Sequence, residues 1–143
     1  MYAPRSAYIH VPFCRHRCGY CNFTVIADRQ DLHRSYLQAL QAELELLGQP
    51  QEVDTMFLGG GTPTELRLSE FQELMELLHH WFPLADSGEF TTEANPEDIN
   101  SDYVEVFQQA GINRVSLGGQ SFNPEKLKML ERNHNAEQLK ACF

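Results

Sequence analysis

The chain has 143 residues, enough for one domain with a real core. Hydrophobic residues make up 42% and charged residues 22%, the balance of an ordinary globular protein. A formal net charge of −9 excludes a general nucleic-acid-binding role. No apolar run reaches the roughly 18–20 residues that span a bilayer. The start, Met1-Tyr2-Ala3-Pro4-Arg5-Ser6, lacks the charged-then-apolar pattern of a secretory leader, so the chain reads as cytoplasmic with no integral membrane segment.

In chain order, short apolar strands alternate with helices. Tyr8 to Val11 is the first strand. Leu32, Tyr36, Leu40, Leu44 and Leu47 recur at helical spacing over residues 31–47, and Gly48 then Pro50 close that helix. Val53 to Leu58 is the second strand and runs into Gly59-Gly60-Gly61. Ser69-Glu70-Phe71-Gln72 has the form of a capping box. It opens a helix with Phe71, Leu74, Met75, Leu78 and Trp81 inward, leaving His79 and His80, like His33 earlier, on a helix surface. Glu89 to Ala94 is the third strand. Residues 101–110 form a helix ended by Gly111. Asn113 to Leu117 is the fourth strand, with helical material around 124–131 and 136–142. Such alternation predicts an α/β fold with a parallel sheet. The polar and glycine-rich motifs all follow strands, on the carboxyl edge where ligands bind in such folds.

Three of the four cysteines, Cys14, Cys18 and Cys21, fall within eight residues, and Cys142 lies far away. A disulfide framework uses an even, distributed set in a secreted chain, so the clustered thiols point to a metal. Thiolates are the ligands of iron–sulfur clusters, and three of them leave one iron of a [4Fe–4S] cube open for reaction. Gly19 removes a side chain where the loop turns. Arg15 and Arg17 are placed to keep the thiols ionised. The competing reading is a structural zinc site with His10 or His16 as fourth ligand. Zinc modules usually draw on two separated pairs, and the chain has no second pair.

Gly59-Gly60-Gly61-Thr62 is neither a P-loop nor G-x-G-x-x-G. Three glycines allow a ligand close to the backbone and leave amides and carbonyls to bond it; taken alone, the segment is as well read as a tight turn. Glu93, at a strand end, is by itself an edge carboxylate, and Arg132 by itself a surface arginine at a helix end.

Together these segments resemble the radical SAM (S-adenosylmethionine) group that contains oxygen-independent coproporphyrinogen III dehydrogenase (HemN type) and HemW-like haem chaperones. The resemblance runs through Tyr8-x-His10-x-Pro12-Phe13-Cys14-x3-Cys18-x2-Cys21, Gly59 to Thr64, Glu93-Ala94-Asn95-Pro96, Gly111 to Phe122 and Arg132-Asn133-His134, in the family's order. It implies a [4Fe–4S] cluster on Cys14, Cys18 and Cys21. It implies SAM contacts from Tyr8, Tyr20, Gly60, Gly61, Thr62, Glu93, Gln120 and Arg132, with no side chain assigned as catalytic. Its chemistry is reductive cleavage of SAM to a 5′-deoxyadenosyl radical, which the dehydrogenase uses to decarboxylate propionates of coproporphyrinogen III to vinyl groups. The chaperone branch instead binds haem and passes it to acceptor proteins. An electron donor is implied in either case.

Two positions depart from the common pattern. Gly119 stands where a branched residue is frequent, and a glycine loosens the strand end before Gln120. Phe23 stands where the dehydrogenase has a further cysteine and the chaperone a phenylalanine, which points to the chaperone branch. The family fold is a partial (β/α)6 barrel with a C-terminal region. Residues 1–143 supply about four of its units, at roughly 30 residues each. The chain is therefore expected to be the core domain truncated on its C-terminal side, with the first and fourth strands exposed as edges.

Overall fold

The computed structural model describes residues 4–143. Its main sheet has four parallel strands, β1 (Ser6–Val11), β4 (Val53–Gly60), β5 (Leu84–Ala94) and β6 (Arg114–Leu117), in the order β1-β4-β5-β6. A two-residue parallel pair, β2 (Phe13–Cys14) and β3 (Ile26–Ala27), closes the base of the loop between them. Each crossover carries a helix: α1 (His33–Glu45), α2 (Leu68–Trp81) and α3 (Ser101–Gln109). Two short helices, α4 (Pro124–Met129) and α5 (Ala136–Lys140), follow β6. This is the α/β alternation expected, with β1 and β6 at the edges.

The strands run further than their apolar patterns suggest. β4 continues through Gly59 and Gly60, because both stay in register with His10 and Val11 of β1. β5 begins at Leu84 rather than Glu89, after a slip between Val53 and Thr55 that lets the polar stretch Asp86-Ser87-Gly88 join the strand. Gly48 and Gly111, at φ 74° and 64°, stand just beyond α1 and α3 in the left-handed conformation that ends helices.

Ile9, Val11, Met56, Leu58 and Phe90 point from the sheet into a core shared with Leu37, Leu44, Phe71, Leu74, Leu78, Tyr103 and Phe107 of the helices. Phe71 stands edge-on to Tyr103 and tilted against Phe107, which joins α2 to α3. The opposite sheet face carries Tyr8, His10, Thr55, Glu89, Arg114 and Ser116, and all six are exposed. The sheet is thus covered on one side only among the described residues.

Two helix readings need correction. α2 begins at Leu68, one residue before Ser69. Its cap position is Arg67, whose backbone N–H donates to the Glu70 carboxylate at 2.9 Å, so Glu70 serves the cap and Ser69 lies inside the first turn. His33 is a core residue, 1% exposed, while His79 and His80 are exposed as expected. The inward face of α1 is His33, Leu37 and Leu44, flanked by Tyr36 and Leu40, and Leu47 lies outside. An imidazole is buried there because its Nδ1 pairs with Glu70 at 2.9 Å and its ring packs on Phe13 at 4.4 Å.

Candidate functional site

The cysteine loop is anchored at both ends. Phe13 is 2% exposed and packs on His33 and edge-on to Tyr36, so the residue before the first thiol is a core side chain. The Ile26 N–H donates to the Pro12 carbonyl at 2.8 Å, and the Asp28 N–H to the Cys14 carbonyl at 3.1 Å. Within the loop, the Cys21 N–H bonds the Cys18 carbonyl at 3.0 Å. The three thiols are unpaired and partly exposed. Burial pushes the Cys14 thiol above its ordinary value, opposed by the Thr62 hydroxyl.

All three thiols line one cavity of about 370 Å3, within the range of small-molecule sites. Gly60, Gly61, Thr62, Glu93, Gln120, Arg132 and Tyr20 line it too, so the carboxyl ends of β4, β5 and β6 meet there with the loop that follows β1. Tyr8 does not. It stacks on Phe57 at 5.9 Å on the open sheet face, 61% exposed, with its hydroxyl 3.4 Å from His10 Nδ1.

The glycine segment works differently from its sequence reading. Its amides are already used: Gly60 N–H donates to Glu93 Oε2 at 3.1 Å, Gly61 N–H to the Val11 carbonyl at 2.8 Å, and Thr62 N–H to the Phe13 carbonyl at 2.7 Å. A Cβ on Gly61 would come 2.4 Å from the Phe13 carbonyl oxygen. The missing side chain therefore lets the strand end lie against the start of the cysteine loop. Glu93, placed by the Gly60 amide, still lines the cavity.

A polar chain crosses the cavity wall. The Thr62 hydroxyl lies 3.8 Å from Cys14 Sγ and accepts from Asn95 Nδ2 at 3.3 Å. Asn95 Oδ1 accepts from Arg132 Nη2 at 2.6 Å, which also donates to the Gly118 carbonyl at 2.8 Å. Arg132 Nη1 lies 3.9 Å from Cys18 Sγ, and its Nε is buried without a partner among the described residues. Arg132 is thus held in the wall rather than spread on the surface. Arg15 is the reverse case: its guanidinium is committed to Asp98 at 2.9 Å and Glu65 at 3.6 Å, both carboxylates nearly buried. The cation that touches a thiol is Arg132. Burial raises the Asp98 carboxyl above its ordinary value, against the Thr64 hydroxyl and Arg15.

Gln120 sits at φ 57°, a left-handed conformation uncommon for a side chain of its size. The turn around it is tight rather than loose. Gly119 is buried, its carbonyl lies 2.9 Å from His134 Nε2, and a Cβ there would come 2.8 Å from Leu139 of α5. Two residues had no role assigned from the sequence, although Asn95 lies within the Glu93-Ala94-Asn95-Pro96 segment. Glu131 takes the Gly19 N–H on its carboxylate at 2.8 Å and lies 3.1 Å from His16 Nε2 through its carbonyl. Asn95 joins Thr62 to Arg132. Its one local signal is the position before Pro96; that of Glu131, a side chain at φ 55° after α4, shows only in the backbone.

No three His, Cys, Asp or Glu side chains among the described residues converge as a single metal ion needs. His10 Nε2 faces the Thr24 carbonyl, and His16 Nε2 lies 3.1 Å from the Glu131 carbonyl and 3.5 Å from Cys18 Sγ. A cube spreads its thiolates further than one ion does, because each sits on its own iron. Three unpaired thiols, an unpartnered arginine N–H and a wall of mixed donors and acceptors fit such a cluster with a polar small molecule beside it. Residues 8–143 match the radical SAM superfamily. The chain belongs to that family. Its members in general use SAM and a [4Fe–4S] cluster. Among curated proteins, the chain is 37% identical over 144 residues to the haem chaperone HemW of Bacillus subtilis (strain 168), covering 97% of this chain and 38% of that one. It is 41% identical over 141 residues to HemW of Escherichia coli (strain K12), covering 96% and 37%. Among solved structures it superposes on coproporphyrinogen III oxidase (HemN) from Escherichia coli, a radical SAM enzyme. The TM-score is 0.87 at 33% identity, over 97% of this chain and 33% of that one. The chain spans little more than a third of the length of the curated relatives it matches. No helix among the described residues is long and apolar enough to cross a membrane.

Proposed function

We propose that this chain is the cluster- and SAM-binding core of a radical SAM haem chaperone. Residues 1–143 would form one core domain, with Cys14, Cys18 and Cys21 as ligands to three irons of a [4Fe–4S] cluster. Gly60, Gly61, Thr62, Glu93, Gln120, Arg132 and Tyr20 would hold SAM at the remaining iron, with Tyr8 at the margin on the open sheet face. The observation that carries the reading is the convergence of the three thiols and the ends of β4, β5 and β6 on one cavity. When bound, the cluster supplies one electron to the sulfonium of SAM. The chain's own work is positional. Phe13 and Glu131 brace the thiol loop, the Gly60 amide aims Glu93, and Asn95 with the Gly118 carbonyl fixes Arg132. A carboxylate beside an arginine suits the ammonium and carboxylate ends of an amino acid.

Phe23 supports the chaperone branch. It is 69% exposed at the cavity mouth and offers an apolar ring where the dehydrogenase carries a thiol. The fold likeness to HemN supports the second reading, an oxygen-independent coproporphyrinogen III dehydrogenase. Anaerobic reconstitution of the chain separates them. The expected results are about four irons and four sulfides per chain, SAM binding, stoichiometric haem binding and no conversion of coproporphyrinogen III. Loss of sulfide and SAM binding in Cys18→Ser belongs to the same expectation. Zinc without acid-labile sulfide would defeat the cluster assignment, and conversion of coproporphyrinogen III would defeat the chaperone assignment. Haem delivery to an acceptor protein and the use of an electron donor complete the proposed activity.

A further inference from the structure

We propose that Asn95 is a positioning residue that sets hydrogen-bond direction at the thiols, holding Arg132 by its oxygen and orienting the Thr62 hydroxyl toward Cys14 by its nitrogen. The inference rests on the reading that the three thiols hold the cluster.

The direction follows from donor and acceptor chemistry. A guanidinium has only N–H donors, so the Asn95 atom 2.6 Å from Arg132 Nη2 is the carbonyl oxygen. The amide nitrogen then faces Thr62 at 3.3 Å and donates to Oγ1. A hydroxyl has one proton. With Asn95 occupying a lone pair, that proton is free to point at the next acceptor, Cys14 Sγ at 3.8 Å. At the other end, the Gly118 carbonyl and Asn95 together take both protons of Arg132 Nη2. This fixes the guanidinium plane, with Nη1 at 3.9 Å from Cys18 Sγ and Nε unpartnered. One carboxamide therefore aims two donors at two different sulfurs. Among the described residues the Asn95 side chain bonds Thr62 and Arg132 and no thiol, so it acts through those two.

Hydrogen bonds to ligand sulfurs raise a cluster's reduction potential. Removing the carboxamide in Asn95→Ala releases both donors. The expected result is unchanged iron and sulfide content, a potential shifted negative, and SAM affinity about ten-fold weaker, the loss of one charge-assisted hydrogen bond. Asn95→Asp keeps an acceptor for Arg132 but presents oxygen to Thr62, whose proton turns away from Cys14. It should keep SAM affinity within about three-fold of the parent, since the arginine bond survives, yet still shift the potential negative. Thr62→Val should give a smaller negative shift than Asn95→Ala, since it removes only the donor to Cys14, and the double variant no shift beyond that of Asn95→Ala, because Asn95 acts on Cys14 through Thr62.

The measurements are anaerobic potentiometry and SAM titration on the reconstituted protein, with Arg132→Ala alongside. If Asn95→Ala leaves potential and affinity unchanged while Arg132→Ala weakens SAM binding, the proposal is overturned and the site reading stands. If Arg132→Ala leaves SAM binding unchanged, the arginine's part in the site reading fails, and the potentials of Asn95→Ala and Thr62→Val decide on Asn95. Additive shifts in the double variant would also overturn it.

Discussion

Glu70 closes the first turn of α2 with one oxygen and accepts from a helix in another crossover with the same group. Its carboxylate takes the Arg67 N–H and pairs with buried His33, which packs on Phe13, the neighbour of Cys14. Burial pushes the Glu70 carboxyl up, but the Arg67 N–H and His33 outweigh it, and it lies below its ordinary value. A carboxyl depressed in the folded chain contributes stability above the ordinary glutamate range, about pH 4.3, and loses it as the pH falls through the folded value. Glu70→Gln should therefore flatten the acid side of the stability curve. Urea midpoints measured from pH 3 to pH 7 check this, and an unchanged acid slope would speak against it. Tyr103 offers a second residue-scale test. Its hydroxyl donates to the Thr64 and Leu66 carbonyls, and burial raises the phenol to about 12. Tyr103→Phe leaves those buried carbonyls without a donor and should lower stability by about 1–2 kcal/mol in denaturant unfolding.

At the scale of elements, caps and close contacts decide where each helix stands. Asn100 accepts from the Asp102 and Tyr103 N–H groups at 3.0 Å each and starts α3. Asn100→Ala should cost about 1 kcal/mol, read from the shift in urea midpoint. α5 rests on Gly119, so Gly119→Val should destabilise by roughly 1–3 kcal/mol, and Leu139→Ala in the same chain should recover part of it. The apolar periods of α2 and α3 and the glycines after α1 and α3 were legible because they are local. The start of β5 was not, since Asp86-Ser87-Gly88 joins the strand through a slip set by β4. His33 read as surface because a buried imidazole depends on Glu70, 37 residues away. Arg15 read as a thiol partner because it is adjacent in sequence, whereas its carboxylates lie on Glu65 and Asp98.

Across the whole molecule, the parallel sheet is open along β6 and bare on the face of Tyr8 and Arg114. Val115, 40% exposed on that edge strand, is a point where a lysine should oppose edge-to-edge pairing. Val115→Lys should reduce self-association of this chain in sedimentation velocity at low salt, with secondary structure unchanged. The site was legible at this scale because its motifs sit at strand ends, which a parallel fold gathers on one edge. Asn95 and Glu131 were not, because they act on partners reached only after folding. That reach has a consequence in time. The Glu131 carboxylate meets Gly19 across 112 positions, and Arg132 meets Cys18 across 114. At about 5–20 residues per second, a ribosome needs roughly 6–20 s to make that stretch. During synthesis the three thiols emerge early and wait without their brace until residues 131 and 132 follow, so the loop settles late and the nascent form is the one most open to thiol oxidation.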